Sequence, residues 1–315
     1  MAKIGVLDQK ITDSYSIYQG DSCEIIKGIP SDSIHYSIFS PPFASLFTFS
    51  NSERDMGNSK DDNSFYTHFQ YLIQELYRVT MPGRLLSFHC MNLLMTINRD
   101  GVIGLKDFRG ELIRMFVACG FIHHSEVVIW KDPLVQATRT KNLTLAHKQI
   151  SKDATRCAQG FPDYIITMRK PGINPEPVAK GAGFDRYIGA DTEPQNEKQN
   201  DPRINKYSHH VWKRYASPVW MDIRQTDTLN ASVARDKDDE KHISLLQLQV
   251  IARCVELWTN PNDIVLSPFM GIGSEGYVSL KMGRRFVGIE LKKSYYSQAI
   301  KNLQVSQNAT IGFDL

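Results

Sequence analysis

The stretch 263-DIVLSPFMGIGSEGYVSLKMGRRFVGIEL-291 decides the fold, because its hydrophobic pattern changes period twice. DIVLSPF is a compact apolar, β-favouring run, SEGYVSLKM has helical spacing, and RRFVGIEL is apolar and β-favouring again. Glycines at 271, 273 and 276 mark the turn between the first run and the helix. Strand, turn, helix and strand in this order form the unit of a parallel sheet. Such a turn brings backbone N–H groups and a helix N-terminus close to a ligand. Glycine at the same spacing also arises where a helix packs tightly on a strand, so the pattern alone leaves both readings open. Glu290 closes the second strand 17 residues after Gly273, close to the spacing at which a carboxylate meets a ribose diol. The Pro268-Phe269 pair makes the turn tighter and more apolar than a pyrophosphate loop, which suits an adenosine ligand without a diphosphate.

The same alternation extends outward. YSIYQGDSCEIIKGI (15–29) reads as a strand, a turn at Gly20-Asp21 and a short helix, and IHYSIF (34–39) as a buried parallel strand. The polar segment 44–63 reads as a mobile loop. Phe65 to Val79 is helical, Met81-Pro82-Gly83 stops that helix, and RLLSFHC (84–90) is a strand. DFRGELIRMFVACGF is a helix capped by Gly120, HHSEVVIWK and YIITMR are further strands, and ISLLQLQVIARCVELW and Lys293 to Leu303 are helices. Residues 171–241 lack a long apolar run and are expected to be irregular. The pattern predicts an α/β, doubly wound, mainly parallel sheet with helices on both faces. The expected division is 1–130, 131–241 with a returning core strand near 163–169, and 242–315.

Composition fits a folded globular protein. Of 315 residues, 42% are hydrophobic and 23% charged, with a net charge of +3. No apolar run approaches a membrane span and the N-terminus lacks a signal-peptide core, so the expectation is a cytoplasmic protein without membrane association. Five separated cysteines with no CxxC pair read as reduced thiols, and the tandem histidines 123-124 and 209-210 lack accompanying metal ligands, so no metal is expected.

A second turn shares the chemistry. SIFSPPF (37–43) ends a buried strand in Ser40, two prolines and Phe43, and the prolines hold the exit rigid. SPPF at 40–43 together with SPFMGIGSEGYVSLKMGRRFVGIEL at 267–291 resembles the S-adenosylmethionine-dependent DNA amino-methyltransferases, which methylate N4 of cytosine or N6 of adenine. The catalytic tetrapeptide precedes the cofactor motif, as in the permuted β-class order. The resemblance implies a Rossmann-like, seven-stranded-type sheet, with Ser40, Pro41, Pro42 and Phe43 as the catalytic motif. An exocyclic amine is a poor nucleophile because its lone pair is delocalised into the ring. The Ser40 hydroxyl or the Pro41 carbonyl would accept its hydrogen bonds, and Phe43 would stack on the flipped base.

Carried over by position, the resemblance assigns Ser267, Pro268, Phe269, Gly271, Gly273 and Ser274 to the cofactor turn, Glu290 to the ribose, and Asp21 to the adenine or methionine end. His242, in a KH pair that resembles the family's segment near the methionine end, is a further cofactor-binding candidate, although Ile243 replaces the family's proline there, and Ser267 stands where many relatives have Asp. A serine at the head of the tetrapeptide favours cytosine N4, with adenine N6 as the alternative. A nicotinamide-dependent oxidoreductase and an inactive DNA-binding module are the other readings open to the sequence.

Double-stranded DNA is the implied substrate. Lys131, Arg139, Lys141, Lys148, Lys152 and Arg156 face only Asp132 and Asp153, a cluster suited to phosphates, although a solvated helical face has the same composition. Within 171–241, Tyr187, Arg203, Lys206, Tyr207, His209, His210, Trp212, Lys213 and Arg214 are the candidates for base recognition. A homodimer and a cognate restriction enzyme are compatible with the resemblance, and neither is required by it.

Overall fold

The computed structural model describes residues 5–42, 62–95, 97–140, 145–230 and 246–311. Five parallel strands make the centre of a nine-stranded sheet, in the order β2 (Tyr15–Gln19), β11 (Arg285–Glu290), β10 (Ile264–Ser267), β3 (Ile34–Phe39) and β4 (Thr80–Cys90). Beside β4 lies β8 (Asp163–Arg169), and beyond it β7 (Ile122–Ile129), each antiparallel to its neighbour. Short edge strands β1 (Asp8–Ile11) and β9 (Val219–Trp220) complete the sheet, so seven strands form the core as expected. β5 (Leu93–Met95) and β6 (Gly104–Lys106) pair separately.

Alternation along the strands explains the layers. Phe39, Leu86, Phe88 and Ile166 point to one face, where α1 (Ser22–Ile25), α2 (Asp62–Val79) and α4 (Phe108–Ala118) contribute Ile25, Phe65, Phe69, Leu72 and Phe116. Tyr36, Ile38, Ile165 and Val265 point to the other, where α7 (Leu248–Trp258), α8 (Ser274–Lys281) and α9 (Lys293–Ile311) contribute Ile251, Val255, Val278 and Leu303. Each fully buried large apolar side chain stabilises the fold by roughly 1.5–3 kcal/mol. The chain order reverses between β10 and β3, which places a crevice at their C-terminal ends.

Two expectations need correction, and one strand direction left open by the sequence is fixed. Met81-Pro82-Gly83 lies inside β4, where pairing with β3 shifts register between Ile34 and Tyr36. A bulge tolerates proline and a positive-φ glycine that a regular strand would not. β8 enters the sheet antiparallel, so the loops before it reach the crevice end. The 171–241 stretch is not wholly irregular, since it holds α6 (Lys206–Tyr215) over a small core of Phe184, Tyr207, Val211 and Tyr215. Among the described residues the remaining α-helices are α3 (Ile97–Asp100) and α5 (Pro133–Thr140). Among the described residues no helix is long and apolar enough to cross a membrane.

Candidate active site

The glycine turn expected to hold the cofactor begins where β10 ends. Ser267 and Pro268 are buried there, and the Ser22 hydroxyl donates to the Pro268 carbonyl, which ties the start of α1 to the turn. Gly273 is the N-cap of α8 with φ of +87°, and a Cβ there would sit 2.6 Å from Leu303 and 3.2 Å from the Ala299 Cβ. Gly276 would likewise meet Phe286 at 2.6 Å. These two glycines therefore serve helix packing. Gly271 differs: its φ is +52°, and a Cβ there would meet nothing within 4 Å. The space in front of it is where a ligand can approach the backbone.

Glu290 frames the opposite side. One carboxylate oxygen accepts the Gly271 N–H at 2.8 Å and the other accepts the Lys292 N–H at 2.8 Å. Its carbonyl accepts the Gly20 N–H at 3.0 Å, which brings the Gly20-Asp21 turn to the same rim. The Asp21 carboxylate caps α1 by accepting the Cys23 N–H at 2.9 Å. Ser267 Oγ and Ser274 Oγ are buried without a hydrogen-bond partner among the described residues. Buried hydroxyls of this kind call for a polar partner. Together with the Glu290 carboxylate and the open face of Gly271, they fit a ligand carrying a ribose diol and an amino-acid end. Burial pushes the Glu275 carboxyl up to about 8, and the nearby Glu290 charge adds to the effect. The Phe269 ring packs against Phe39 and Phe69, with centroids 6.0 and 6.3 Å away.

Across the crevice, Ser40 leaves β3 half-buried, followed by buried Pro41 and Pro42. The Ser40 Oγ and His89 Nδ1 are hydrogen-bonded at 3.0 Å. His89 sits near the C-terminal end of β4, and its Nε2 lies 2.9 Å from Asp163 Oδ2 at the start of the antiparallel β8. The same Asp163 oxygen is 2.6 Å from Lys131 Nζ, just past the end of β7. Side-chain exposure is 1% for His89, 5% for Asp163 and 11% for Lys131. Burial raises the Asp163 carboxyl, but His89 and Lys131 outweigh it and hold the group at about 2. The result is a chain from a largely covered cation to a serine at the crevice. His89 and Asp163 were missed from sequence, and the only signal was a polar residue at each end of an apolar run.

The other assigned residues separate. Lys148, Lys152 and Arg156 are exposed on one segment before β8, whereas Lys131 is turned inward to Asp163. Among the recognition candidates, Tyr207 is buried and donates to Glu193 at 2.5 Å, and Tyr187 donates to Asp222 at 2.5 Å under the Arg214 guanidinium. Trp212 is 56% exposed. Phe43, Lys141 and His242 lie outside the described residues, as does the Arg139 side chain. The tandem histidines gather no further metal-type ligands among the described residues. A His35, Glu176 and Asp263 group lies at the opposite end of β3, where Arg84 pairs with Asp263.

A strand-end serine-proline turn thus stands beside a glycine turn and the Glu290 carboxylate, and the DNA methylase family model for N6 and N4 methylation matches residues 34–301. The chain belongs to this family, the DNA amino-methyltransferases that take their methyl group from S-adenosylmethionine. It is similar to the type II methyltransferase M.BglI of Bacillus subtilis, with 25% identity over 331 residues covering 92% of this chain and 85% of that one. The fold matches a putative DNA modification methylase of Thermus thermophilus solved with S-adenosyl-L-methionine, at 18% identity and TM-score 0.61, covering 93% and 96% of the two chains. PvuII DNA methyltransferase, described as cytosine-N4-specific, matches at 15% identity and TM-score 0.61, covering 98% and 97%. The nicotinamide-dependent alternative falls with the family match.

Proposed function

We propose that this protein methylates the N4 amine of a cytosine in double-stranded DNA. The observation that carries the reading is Ser40, whose hydroxyl sits at the end of β3, beside the β10 cofactor turn and hydrogen-bonded to His89. A neutral serine heads the tetrapeptide where adenine enzymes more often have Asp or Asn.

The cofactor supplies an electrophilic sulfonium methyl. Glu290, with the Gly271 backbone, holds the ribose, and the Ser267 and Ser274 hydroxyls meet polar atoms of the ligand. The target base leaves the duplex and enters the crevice, stacking on Phe43. Ser40 and the Pro41 carbonyl accept hydrogen bonds from the amine, drawing its lone pair out of the ring and toward the methyl carbon. Buried Pro41 and Pro42 keep these acceptors at the geometry of attack. Lys148, Lys152 and Arg156 meet phosphates.

The test is to express the protein in a host without other DNA methylation, digest the DNA to nucleosides and weigh them. N4-methylcytosine is the expected product. N6-methyladenine would overturn the choice of base, and no methylated nucleoside would overturn the activity.

A further inference from the structure

We propose that His89, oriented by Asp163 and Lys131, accepts through the Ser40 hydroxyl the proton that methyl transfer releases. The inference rests on the amine-methyltransferase reading above and adds to it the route by which the reaction is completed.

The chemistry requires such a route. When the amine nitrogen bonds to the methyl carbon, the methyl–sulfur bond breaks and its electron pair stays on sulfur. The products are neutral S-adenosylhomocysteine and a base whose N-methyl amine carries one proton too many. Loss of that proton restores the conjugated, neutral amine. The nearest proton-accepting chain begins at Ser40: its oxygen takes the amine proton as its own hydroxyl proton passes to His89 Nδ1. The imidazolium so formed is stabilised by Asp163 and later returns the proton to solvent.

Three features of the site favour this role. The first is tautomer. Asp163 is an ionised carboxylate with one oxygen 2.9 Å from Nε2, and this nearby anion favours the ring proton on that nitrogen, which leaves Nδ1 as the acceptor 3.0 Å from Ser40. The second is direction, since His89 and Asp163 are buried, Lys131 is 11% exposed behind them, and half-buried Ser40 stands at the crevice end of the chain. The third is cost. Taking a lysine, a carboxylate and an imidazole out of water gains little net stability, because desolvation offsets the attraction. A packing role is served more cheaply by apolar side chains at the same three strand ends, so the arrangement points to chemistry. His89 touches Ser40 and is a proton acceptor, while Asp163 and Lys131 are positioning residues.

The test uses the full chain, labelled S-adenosylmethionine and a DNA substrate that the wild-type protein methylates, read as single-turnover methyl transfer. His89→Ala is expected to slow transfer by about 100-fold. Dissociation constants for S-adenosylmethionine and DNA should stay within about threefold of wild type, and added imidazole should restore transfer at least about tenfold, as expected of a missing general base. The Ser40→Ala, His89→Ala double variant should be no slower than Ser40→Ala alone, because the two residues act in series. Transfer by His89→Ala within about threefold of wild type would overturn the proposal, and so would additive losses without imidazole rescue. Should His89→Ala not fold, Asp163→Asn keeps the shape and removes the charge, and a wild-type rate in that variant is equally fatal. A wild-type protein that methylates no DNA base fails at the underlying activity, whereas an active wild type with an unaffected His89 variant fails at this inference alone.

Discussion

The Glu290 carboxylate grips the Gly271 N–H at 2.8 Å, so the end of β11 holds the glycine turn after β10 in place. A carboxylate offers about four acceptor positions, and ribose recognition and turn capping are therefore compatible on one side chain. Glu290→Ala removes both. Hydrogen bonds to a charged group contribute about 1.5–3 kcal/mol, which corresponds to an S-adenosylmethionine Kd raised by about 10- to 100-fold. Calorimetric titration should show that loss with DNA affinity changed by less than about threefold; equal losses in both would show that Glu290 acts on the whole fold rather than on the ligand.

Gly271 and Gly273 carry the same motif letter and should fail differently. Gly273→Ala drives a Cβ into Leu303 at 2.6 Å in a left-handed conformation, so both strain and α9 packing suffer. A drop of several degrees in Tm is expected, with cofactor affinity lost alongside. Gly271→Ala meets no neighbour within 4 Å and bears only the backbone strain, roughly 1–2 kcal/mol. Its Tm should fall less, while S-adenosylmethionine affinity falls at least tenfold, about 1.4 kcal/mol, because the methyl occupies ligand space. Thermal melts with and without cofactor check the contrast, and matching behaviour of the two variants would contradict it.

The contrast between these glycines also shows what the sequence can convey. β3, β10, β11 and α7 were legible because each is a bounded apolar run whose length and period admit one reading. The glycine turn after β10 was legible because φ above zero selects glycine at 271 and 273. Direction was not legible: YIITMR reads the same whichever way it runs, and only its antiparallel entry beside β4 brings Asp163 to the crevice. His89 was hidden for a related reason, as one polar residue near the end of RLLSFHC looks like a strand boundary until β3 and β8 flank it. The helix does end just before Met81-Pro82-Gly83, but the strand start was placed at Arg84 because a β-bulge inside β4 uses the same residues as a turn. Tyr187 and Tyr207 looked like stacking platforms because a tyrosine whose hydroxyl is satisfied internally has the same composition as one facing DNA.

Glu275 makes the fold pH-sensitive in a definite direction. Its folded carboxyl is raised from the ordinary 4.5 to about 8 by burial, with Glu290 adding to the effect. Between those values the folded chain holds a proton that the unfolded chain has released, so stability falls as pH rises across this window and the full penalty is reached above about 8. Each tenfold difference in proton affinity between the folded and unfolded chains corresponds to about 1.4 kcal/mol. Glu275→Gln removes the penalty. Melts from about pH 5 to about pH 9, which bracket this window, should find the two proteins converging at the acid end and the variant more stable at the alkaline end. Parallel curves would place the Glu275 carboxylate in water.

Lys131 and the Lys148, Lys152 and Arg156 group belong to one basic cluster in the sequence but to two environments in the fold, and salt dependence separates them. Each exposed cation that neutralises a phosphate adds about 0.9 to the slope of log affinity against log salt. Lys148→Gln, Lys152→Gln and Arg156→Gln should each weaken DNA binding and flatten that slope by about one contact. Lys131→Met should leave the slope unchanged, because its ammonium lies 2.6 Å from Asp163 with the side chain 11% exposed. Its effect falls on stability instead: removing one partner of a buried pair costs about 3–5 kcal/mol. Denaturant unfolding measures the second quantity and fluorescence anisotropy at several salt concentrations the first. A flattened slope with undiminished stability in Lys131→Met would return that residue to the phosphate surface.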